Sequence, residues 1–364
     1  MTSKGKGGRR PMRPAVPVSE LGERWVVGRI QELLSDKGVG DDCAYLPWGK
    51  DYLLATTDVI TISTHLPWPS PRAWGWHAAA VNLSDVASKG GEPLGVLLSL
   101  LLPPGTPAGT VLEMMRGAKE CCARYGTRVI GGDTKEGPEI ALAGTALGRV
   151  PRRQFMPRSG ARPGDILGLT GELGTAAAGF LMLREGLAGR RPSERAGGKA
   201  ASMAGGGRPA ARGRRTGGAT GLRGPVSRLL LPLPRVAEGR AAAATCRVHA
   251  STDLSDGLSA SVHQLCIASG VGAELLWDSL PVSSSLRRLG MATEDWVLHF
   301  GGEYELLMAV PPAAWDRVQR AVARTKTAFT PVGRVLRGRN VSLSGTGWAR
   351  PLRYGGWEHF RKKG

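Results

Sequence analysis

The sequence of 364 residues is long enough to form two domains with separate cores, and its 41% hydrophobic and 22% charged residues are typical of a globular protein. The longest apolar run, residues 94–102, is far shorter than the roughly 20 residues that span a bilayer, which argues against a membrane protein. Five cysteines without CxxC spacing argue against a zinc site or a disulfide framework, and a reducing cytosol is the expected compartment.

The formal net charge of +19 lies mostly in segments that have little to bury. Residues 1–18 are rich in Gly, Pro, Lys and Arg, and residues 187–225 contain eight Arg and eleven Gly. We therefore expect a disordered basic tail and a mobile, low-complexity basic insert. With residues 361–363, these segments hold sixteen of the nineteen excess positive charges. Nucleic-acid binding through the insert stays open as an alternative, although the charge does not mark one face of a fold.

Between the tail and the insert, and again after the insert, hydrophobic periodicity predicts helices that alternate with strands. The predicted helices cover residues 21–34, 73–89, 108–125, 175–184, 253–269 and 311–324. The predicted strands cover residues 53–55, 95–102, 128–130, 142–150, 166–171, 274–277, 306–310 and 332–335. In the first helix, the side chains expected to face inward are Trp25, Ile30, Leu33 and Leu34. A turn-rich stretch at 158–165 marks the boundary between an N-terminal domain, residues 19–150, and a C-terminal domain, residues 151–364.

Five acidic clusters are the main functional signal in the sequence. Each places aspartate beside small or hydroxylated residues, and each is expected where a helix or a strand begins or ends. Carboxylates gathered this closely repel one another unless hard cations lie between them, and Mg2+ is the cation that combines carboxylates with phosphates. The clusters therefore predict a Mg2+-nucleotide enzyme, and their members are Gly40 with Asp41 and Asp42, Thr56 and Thr57 with Asp58, Asn82 with Asp85, Gly132 with Asp133, and Asp253 with Asp256.

Two observations qualify this interpretation. The sequence has no GxxxxGK[ST] phosphate loop, GxGxxG turn or protein-kinase catalytic loop, so phosphoryl transfer would depend on metals held by aspartates. Asp253 and Asp256, three residues apart, could instead be a helix cap and a first-turn charge. For His65, a ligand contact and a purely structural role both remain open. Glu303 follows two glycines, which let the backbone approach a ligand, so a ligand contact is expected there.

The order of seven motifs resembles that of the thiamine-monophosphate kinase family. The motifs are GDDCA at 40–44, TTD at 56–58 with His65, AVNLSD at 80–85, IGGDT at 130–134, RSGARPGD at 158–165, DLSDGL at 253–258 and GGEYEL at 301–306. The resemblance implies an α+β fold of the aminoimidazole ribonucleotide synthetase superfamily. It has two domains: an N-terminal mixed α/β sheet domain that pairs with its copy across a dimer, and a C-terminal α/β domain.

The same resemblance implies an activity and a set of site residues. The activity is phosphorylation of thiamine monophosphate to thiamine diphosphate with ATP and Mg2+, by direct in-line transfer, in a cytoplasmic homodimer. The implied Mg2+ ligands are Asp42, Thr56, Thr57, Asp58, Asp85, Asp133 and Asp253, with Asp256 on a further Mg2+. The implied ATP contacts are Gly132, Asp133, Arg158 and Ser255, and the implied contacts to thiamine monophosphate are His65, Glu303 and Tyr354. No protein nucleophile is implied.

The sequence departs from the family pattern in two places. Family members commonly have Gly-Gly-Glu-Asp-Tyr-Glu-Leu, and the Asp is missing here. The role assigned to Glu303 could therefore belong to the residue one position away. The basic insert is longer than the family pattern requires. Another ATP-dependent synthetase of the same superfamily, similar to aminoimidazole ribonucleotide synthetase, therefore stays open as an alternative function.

Overall fold

The computed structural model describes residues 16–34, 39–64, 70–185 and 224–360. His65, residues 1–15 of the basic tail, residues 186–223 of the insert and residues 361–364 lie outside these ranges. The helices are α1 (Val18–Leu21), α2 (Glu23–Leu34), α3 (Pro71–Ser88), α4 (Ala108–Arg124), α5 (Thr175–Arg184), α6 (Pro225–Leu230), α7 (Val236–Ala243), α8 (Leu258–Ser269), α9 (Ser284–Arg288), α10 (Glu294–Val297) and α11 (Trp315–Ala323). The strands are β1 (Ala44–Trp48), β2 (Asp51–Thr61), β3 (Glu92–Leu102), β4 (Val129–Glu136), β5 (Ala141–Pro151), β6 (Ile166–Thr170), β7 (Ala250–Asp253), β8 (Gly272–Leu276), β9 (Leu306–Val310), β10 (Phe329–Leu336), β11 (Val341–Gly345) and β12 (Trp348–Pro351).

The N-terminal domain is built on a five-stranded sheet with the order β1-β2-β5-β3-β4, in which β3 and β4 are parallel and the other pairs antiparallel. One face packs against α3, and there Leu54 and Leu83 are fully buried. Helix α3 can approach β5 closely because Gly144 has no side chain; a Cβ at this position would lie 2.4 Å from Asn82 Nδ2. The opposite face leaves apolar side chains exposed, namely Leu46, Trp48 and Val59.

The C-terminal domain is built on a seven-stranded sheet with the order β12-β11-β8-β10-β6-β9-β7. Its inner strand β9 is a continuous apolar segment with every residue buried, as expected for a strand covered on both faces. At one edge of this sheet, β7 lies against α3 of the N-terminal domain. The predicted two-domain α+β fold is confirmed, and the contact between α3 and β7 brings functional residues of both domains together. Among the described residues, no helix has both the length and the apolar character needed to cross a membrane.

Four predicted site residues lie inside helices or strands rather than at their ends, which corrects the sequence prediction. Strand β2 continues to Thr61, so Thr57 and Asp58 lie within it. Asp85 lies within α3, and Asp133 lies within β4. The sequence was misleading because polar residues in the middle of a strand or helix suggest an end, whereas here they face a cavity or an exposed surface.

The predicted inward orientation of α2 is wrong. Its apolar side chains are exposed, with relative exposures of 39% for Trp25, 47% for Ile30, 82% for Leu33 and 56% for Leu34. Polar contacts hold the helix instead, because Arg24 donates hydrogen bonds to the backbone oxygens of Tyr354 at 3.2 Å and Gly355 at 3.1 Å. Periodicity therefore predicted the helix correctly, but it could not identify the C-terminal segment as its partner.

Candidate active site

Carboxylates from three distant parts of the chain meet between the two domains. Asp42 comes from the loop before β1, Asp85 from α3 and Asp253 from β7, and each offers an oxygen within 4.8 Å of the others. Hydroxyl groups orient two of them: Thr56 Oγ1 donates to Asp85 Oδ2 at 2.6 Å, and Ser84 Oγ donates to Asp253 Oδ2 at 2.6 Å. The structure thus brings together Asp42, Thr56, Asp85 and Asp253 from the predicted set.

Asp42 is neutralised by side chains of the protein. Lys89 Nζ lies 2.8 Å from Asp42 Oδ2, and the Arg158 guanidinium contacts Asp42 Oδ1. The hydroxyls of Ser88, at 2.7 Å, and Thr252, at 3.0 Å, donate two further hydrogen bonds to the same carboxylate. Burial alone would raise the pKa of Asp42, but Arg158 and Lys89 outweigh burial and hold this pKa well below its usual range.

The other carboxylates have no such compensation. Burial raises the pKa of Asp85 well above its usual range, and neighbouring carboxylates, Asp253 first among them, raise it further. Burial and the nearby Asp42 raise the pKa of Asp253 to about 7. Burial and the nearby Glu23 raise the pKa of Asp256 to about 6. Buried carboxylates that resist ionisation in the absence of a cation are suited to hold one, and an all-oxygen set of ligands suits Mg2+.

Thr57, Gly132 and Asp133 do not join this cluster within one chain. Thr57 points to the opposite face of the sheet and donates to Gly144 O at 2.9 Å. Asp133 lies on the edge strand β4, and its carboxylate accepts a hydrogen bond from the backbone of Thr134 at 2.8 Å. The expectation that Asp133 gathers with the other carboxylates is therefore wrong for a single chain.

The sheet register shows how far Asp133 lies from the cluster. Asp58 pairs with Gly144, Gly144 with Leu98, and Leu98 with Gly132, so β2 and β4 are three strand spacings apart, or about 14 Å. Asp133 follows Gly132, so its side chain lies on the opposite face from that of Asp58. The sequence motifs carried no information about this separation, because strand order depends on long-range pairing.

Two cavities border the acidic cluster. The larger, of about 740 Å³, is lined by the polar residues Asp58, Asp85, Asp253 and Ser255 and by the aromatic residues Phe180, Trp296 and Phe300. The second, of about 580 Å³, is lined by Asp41, Arg158, Gln264 and Tyr354. Glu23, Asp256 and Trp357 line both, so the cavities adjoin at these three residues.

Tyr354 and Arg158 line the same cavity, although the sequence assigned them to different ligands. The Tyr354 ring stacks on His263 with a centroid distance of 4.7 Å, and the Arg24 guanidinium lies 3.7 Å from the centre of the Tyr354 ring. Arg158 is held on the other wall by Gly40 O, to which its guanidinium donates at 2.7 Å. This cavity therefore offers an aromatic ring and a fixed cation to one ligand.

Glu303 is turned away from both cavities. It is buried, and Ala176 N, at the start of α5, donates to its Oε1 at 3.0 Å. The next residue, Tyr304, lines the larger cavity with a φ of 53°, and its hydroxyl lies 3.2 Å from His77 Nε2. Sequence reasoning missed Tyr304, His77 and the buried Lys89; only the missing Asp in the family motif hinted that this loop was altered.

Replacing Glu303 with Gln is expected to flatten the pH dependence of stability. Burial, and then repulsion by Glu305, raises the pKa of Glu303 to about 8 from a usual value of 4.5. The folded chain thus keeps a proton that the unfolded chain releases, so stability decreases as the pH rises from about 4.5 to about 8. Glu303→Gln stays neutral and should lose less stability across this range. Melting temperatures measured from pH 5 to pH 8 check this, with Glu185→Gln at an exposed position as control. Parallel curves for Glu303→Gln and the wild type would contradict it.

Comparisons with known proteins give consistent matches over the whole described fold. Residues 40–150 match the family described as AIR synthase related protein, N-terminal domain, and residues 162–345 match its C-terminal domain. Thiamine-monophosphate kinase of Aquifex aeolicus is 30% identical over 94% of this chain and 99% of that protein, and the Salmonella typhimurium enzyme is 31% identical over 91% and 94%. The solved structure "AaThiL complexed with AMPPCP and TMP" aligns with a TM-score of 0.78 at 29% identity, covering 95% of this chain and 99% of that one. HypE of E. coli, a hydrogenase maturation protein, shares the fold at 21% identity and a TM-score of 0.64, covering 92% of this chain and 98% of that one.

Proposed function

The chain belongs to the thiamine-monophosphate kinases of the AIR synthase-related family, and we propose that it uses ATP and Mg2+ to phosphorylate thiamine monophosphate to thiamine diphosphate. The observation that carries this proposal is the convergence of Asp42, Asp85 and Asp253 beside two adjoining cavities. Two cavities suit a reaction of two substrates, and the carboxylates lie where their phosphates would meet.

Asp58, Asp85 and Asp253 are the residues that we assign to hold Mg2+, and Asp256 is assigned to a further ion at the junction of the cavities. Their support is electrostatic, because burial and neighbouring carboxylates raise the pKa of Asp85 and of Asp253 despite the favourable contacts that each makes. Bound Mg2+ would neutralise the repulsion between the two phosphates and align them. Thr56 keeps the Asp85 carboxylate oriented toward this position through its hydrogen bond.

We assign thiamine monophosphate to the larger cavity. Phe180, Trp296 and Phe300 form a cluster there with ring-centroid distances of 5.5 to 6.0 Å. Aromatic faces attract organic cations, and thiamine carries a positively charged ring, so this wall suits the substrate. Its phosphate would then lie toward Asp58 and Asp85, which line the same cavity.

We assign ATP to the smaller cavity, where the fixed guanidinium of Arg158 suits the phosphates. An ionised oxygen of the thiamine phosphate forms the new bond to the γ-phosphorus as the bond to the ADP oxygen breaks. Because the attacking oxygen carries no proton to remove, the chain needs no strong general base. Arg158, fixed by Asp42 and Gly40, remains in place to stabilise charge on the nucleotide.

We also propose that the active enzyme is a homodimer. The N-terminal sheet leaves Leu46, Trp48 and Val59 exposed on one face, and an exposed apolar face of this kind suits association with a second copy. Gly132 and Asp133 lie on the edge strand of the same sheet, about 14 Å from the strand that carries Asp58. Sheet-to-sheet pairing offers a way for Asp133 of one chain to reach the site of the other.

A kinase assay tests the proposal directly. Purified full-length protein is incubated with ATP and Mg2+ and with thiamine monophosphate, thiamine or an aminoimidazole ribonucleotide precursor, and the products are separated by chromatography. We expect thiamine diphosphate and ADP in equal amounts, with thiamine monophosphate as the preferred acceptor. Turnover of the aminoimidazole precursor alone would replace this function with the related synthetase activity, and a trapped phosphorylated chain would contradict direct transfer.

A further inference from the structure

Lys89 is completely buried beside the carboxylate cluster. Its Nζ lies 2.6 Å from Asp41 Oδ1 and 2.8 Å from Asp42 Oδ2, and it donates a hydrogen bond to Ser251 O at 2.8 Å. The ammonium group thus donates two hydrogen bonds, to Asp41 and to Ser251, and forms an ion pair with Asp42. Removing an ammonium group from water is costly unless its partners are well placed. The close contacts therefore show that the Lys89 ammonium group is held in a defined position.

The groups around Lys89 come from separate parts of the fold. Lys89 directly follows α3 and lies four residues after Asp85. Its two carboxylate partners belong to the loop before β1, and Ser251 belongs to β7, two residues before Asp253. One ammonium group thus fixes the loop, the helix and the strand that carry Asp42, Asp85 and Asp253.

The charges around this ammonium group define its task. Asp41 and Asp42 are adjacent carboxylates, and among the described residues the other basic residue that contacts them is Arg158: its backbone N donates to Asp41 Oδ2 at 2.8 Å, and its guanidinium contacts Asp42. Without the ammonium group, the remaining negative charge would need another cation. In a site made of carboxylates, a divalent metal ion is the available alternative.

We propose that Lys89 is a positioning residue that takes the place of one divalent cation: its fixed charge holds Asp41 and Asp42, so that bound metal is confined to the carboxylates that line the larger cavity, Asp58, Asp85 and Asp253. The proposal rests on the function proposed above in one respect, namely that these carboxylates bind metal for phosphoryl transfer. In this proposal, the Lys89 ammonium group supplies one of the positive charges of the site, and it does not contact the substrate.

Counting bound metal tests the proposal. Lys89→Met removes the charge and keeps an unbranched apolar stem, so the loop carboxylates become available. In equilibrium dialysis with Mn2+, we expect Lys89→Met to bind about one more ion per chain than the wild type. The double variant Asp41→Asn with Lys89→Met removes one of the new ligands and should lose the additional ion. Lys119→Met, on the exposed side of α4, is the matched control and should bind as the wild type does. An unchanged Mn2+ count in folded Lys89→Met would overturn the proposal.

Two further readouts separate a cation substitute from a residue that only supports the fold. In thermal melts, Lys89→Met should have a lower melting temperature than the wild type without metal and should regain it as Mn2+ is added. If Lys89→Met remains unfolded at saturating Mn2+, the proposal is wrong. In steady-state kinetics, the Mg2+ concentration that gives half the maximal rate should be on the order of tenfold higher for Lys89→Met than for the wild type, and kcat should recover at high Mg2+. A loss of kcat that Mg2+ does not restore would contradict the proposal. Because ion counts and melts need no substrate, they decide the role of Lys89 even if the kinase assay fails.

Discussion

Replacing Asp85 with Asn is expected to abolish most of the activity and to stabilise the metal-free protein at the same time. Asp85 is a half-buried member of the cluster, and its loss should remove about 4 kcal/mol of transition-state stabilisation, or on the order of 10³-fold in kcat/KM. The neutral amide avoids the cost of ionising a buried carboxylate whose pKa is raised, and its oxygen can still accept the hydrogen bond from Thr56. The measurements are steady-state kinetics and melting temperature in EDTA at pH 7.5.

Asp316→Asn is the control for this experiment, because Asp316 is exposed on α11 and lies outside both cavities. It should leave activity unchanged. The opposite changes in activity and stability distinguish a carboxylate that exists to bind metal from one that supports the fold. If Asp85→Asn were to keep wild-type kcat/KM, the metal site assigned here would be in the wrong place.

Mixing two inactive variants should restore activity if the site is shared between subunits. Asp133→Asn and Asp85→Asn are each expected to be inactive as homodimers, because each removes one carboxylate from every site. In a mixed dimer, one site combines both defects and the other combines an intact Asp85 with the partner's Asp133. Random mixing gives half of all dimers this composition, so about a quarter of wild-type activity should return.

Co-expression of the two variants with different affinity tags allows the mixed dimer to be purified and assayed. If Asp133 worked in the same chain as Asp85, both sites of the mixed dimer would be defective and no activity would return. Full activity of Asp133→Asn alone would show that Asp133 has no catalytic role. A control mixture of Asp85→Asn with Asp253→Asn should stay inactive, because both residues belong to one site within one chain.

The sequence predicted the parts of the site that are carried by local motifs. Asp42, Asp85 and Asp253 were identified because small and hydroxylated neighbours surround each of them, and the structure brings them within 4.8 Å of one another. The long helices α3 and α4 and the apolar strand β9 were predicted nearly to their observed ends, since periodicity is strongest in such elements.

What the sequence could not predict depends on contacts between distant segments. Lys89 looks like an ordinary residue at a helix end, and only the fold shows that it is buried against Asp41 and Asp42. Likewise, Glu303, expected at the substrate, is buried and accepts a hydrogen bond from Ala176 N, whereas Tyr304, for which the sequence indicated no role, lines the larger cavity. A sequence motif shows which residue types are present, but it does not show the direction in which the folded chain orients their side chains.

The two cavities have only Glu23, Asp256 and Trp357 in common among their lining residues. A substitution at one of these three positions therefore alters both binding compartments at once, whereas a change at any other lining residue alters one of them.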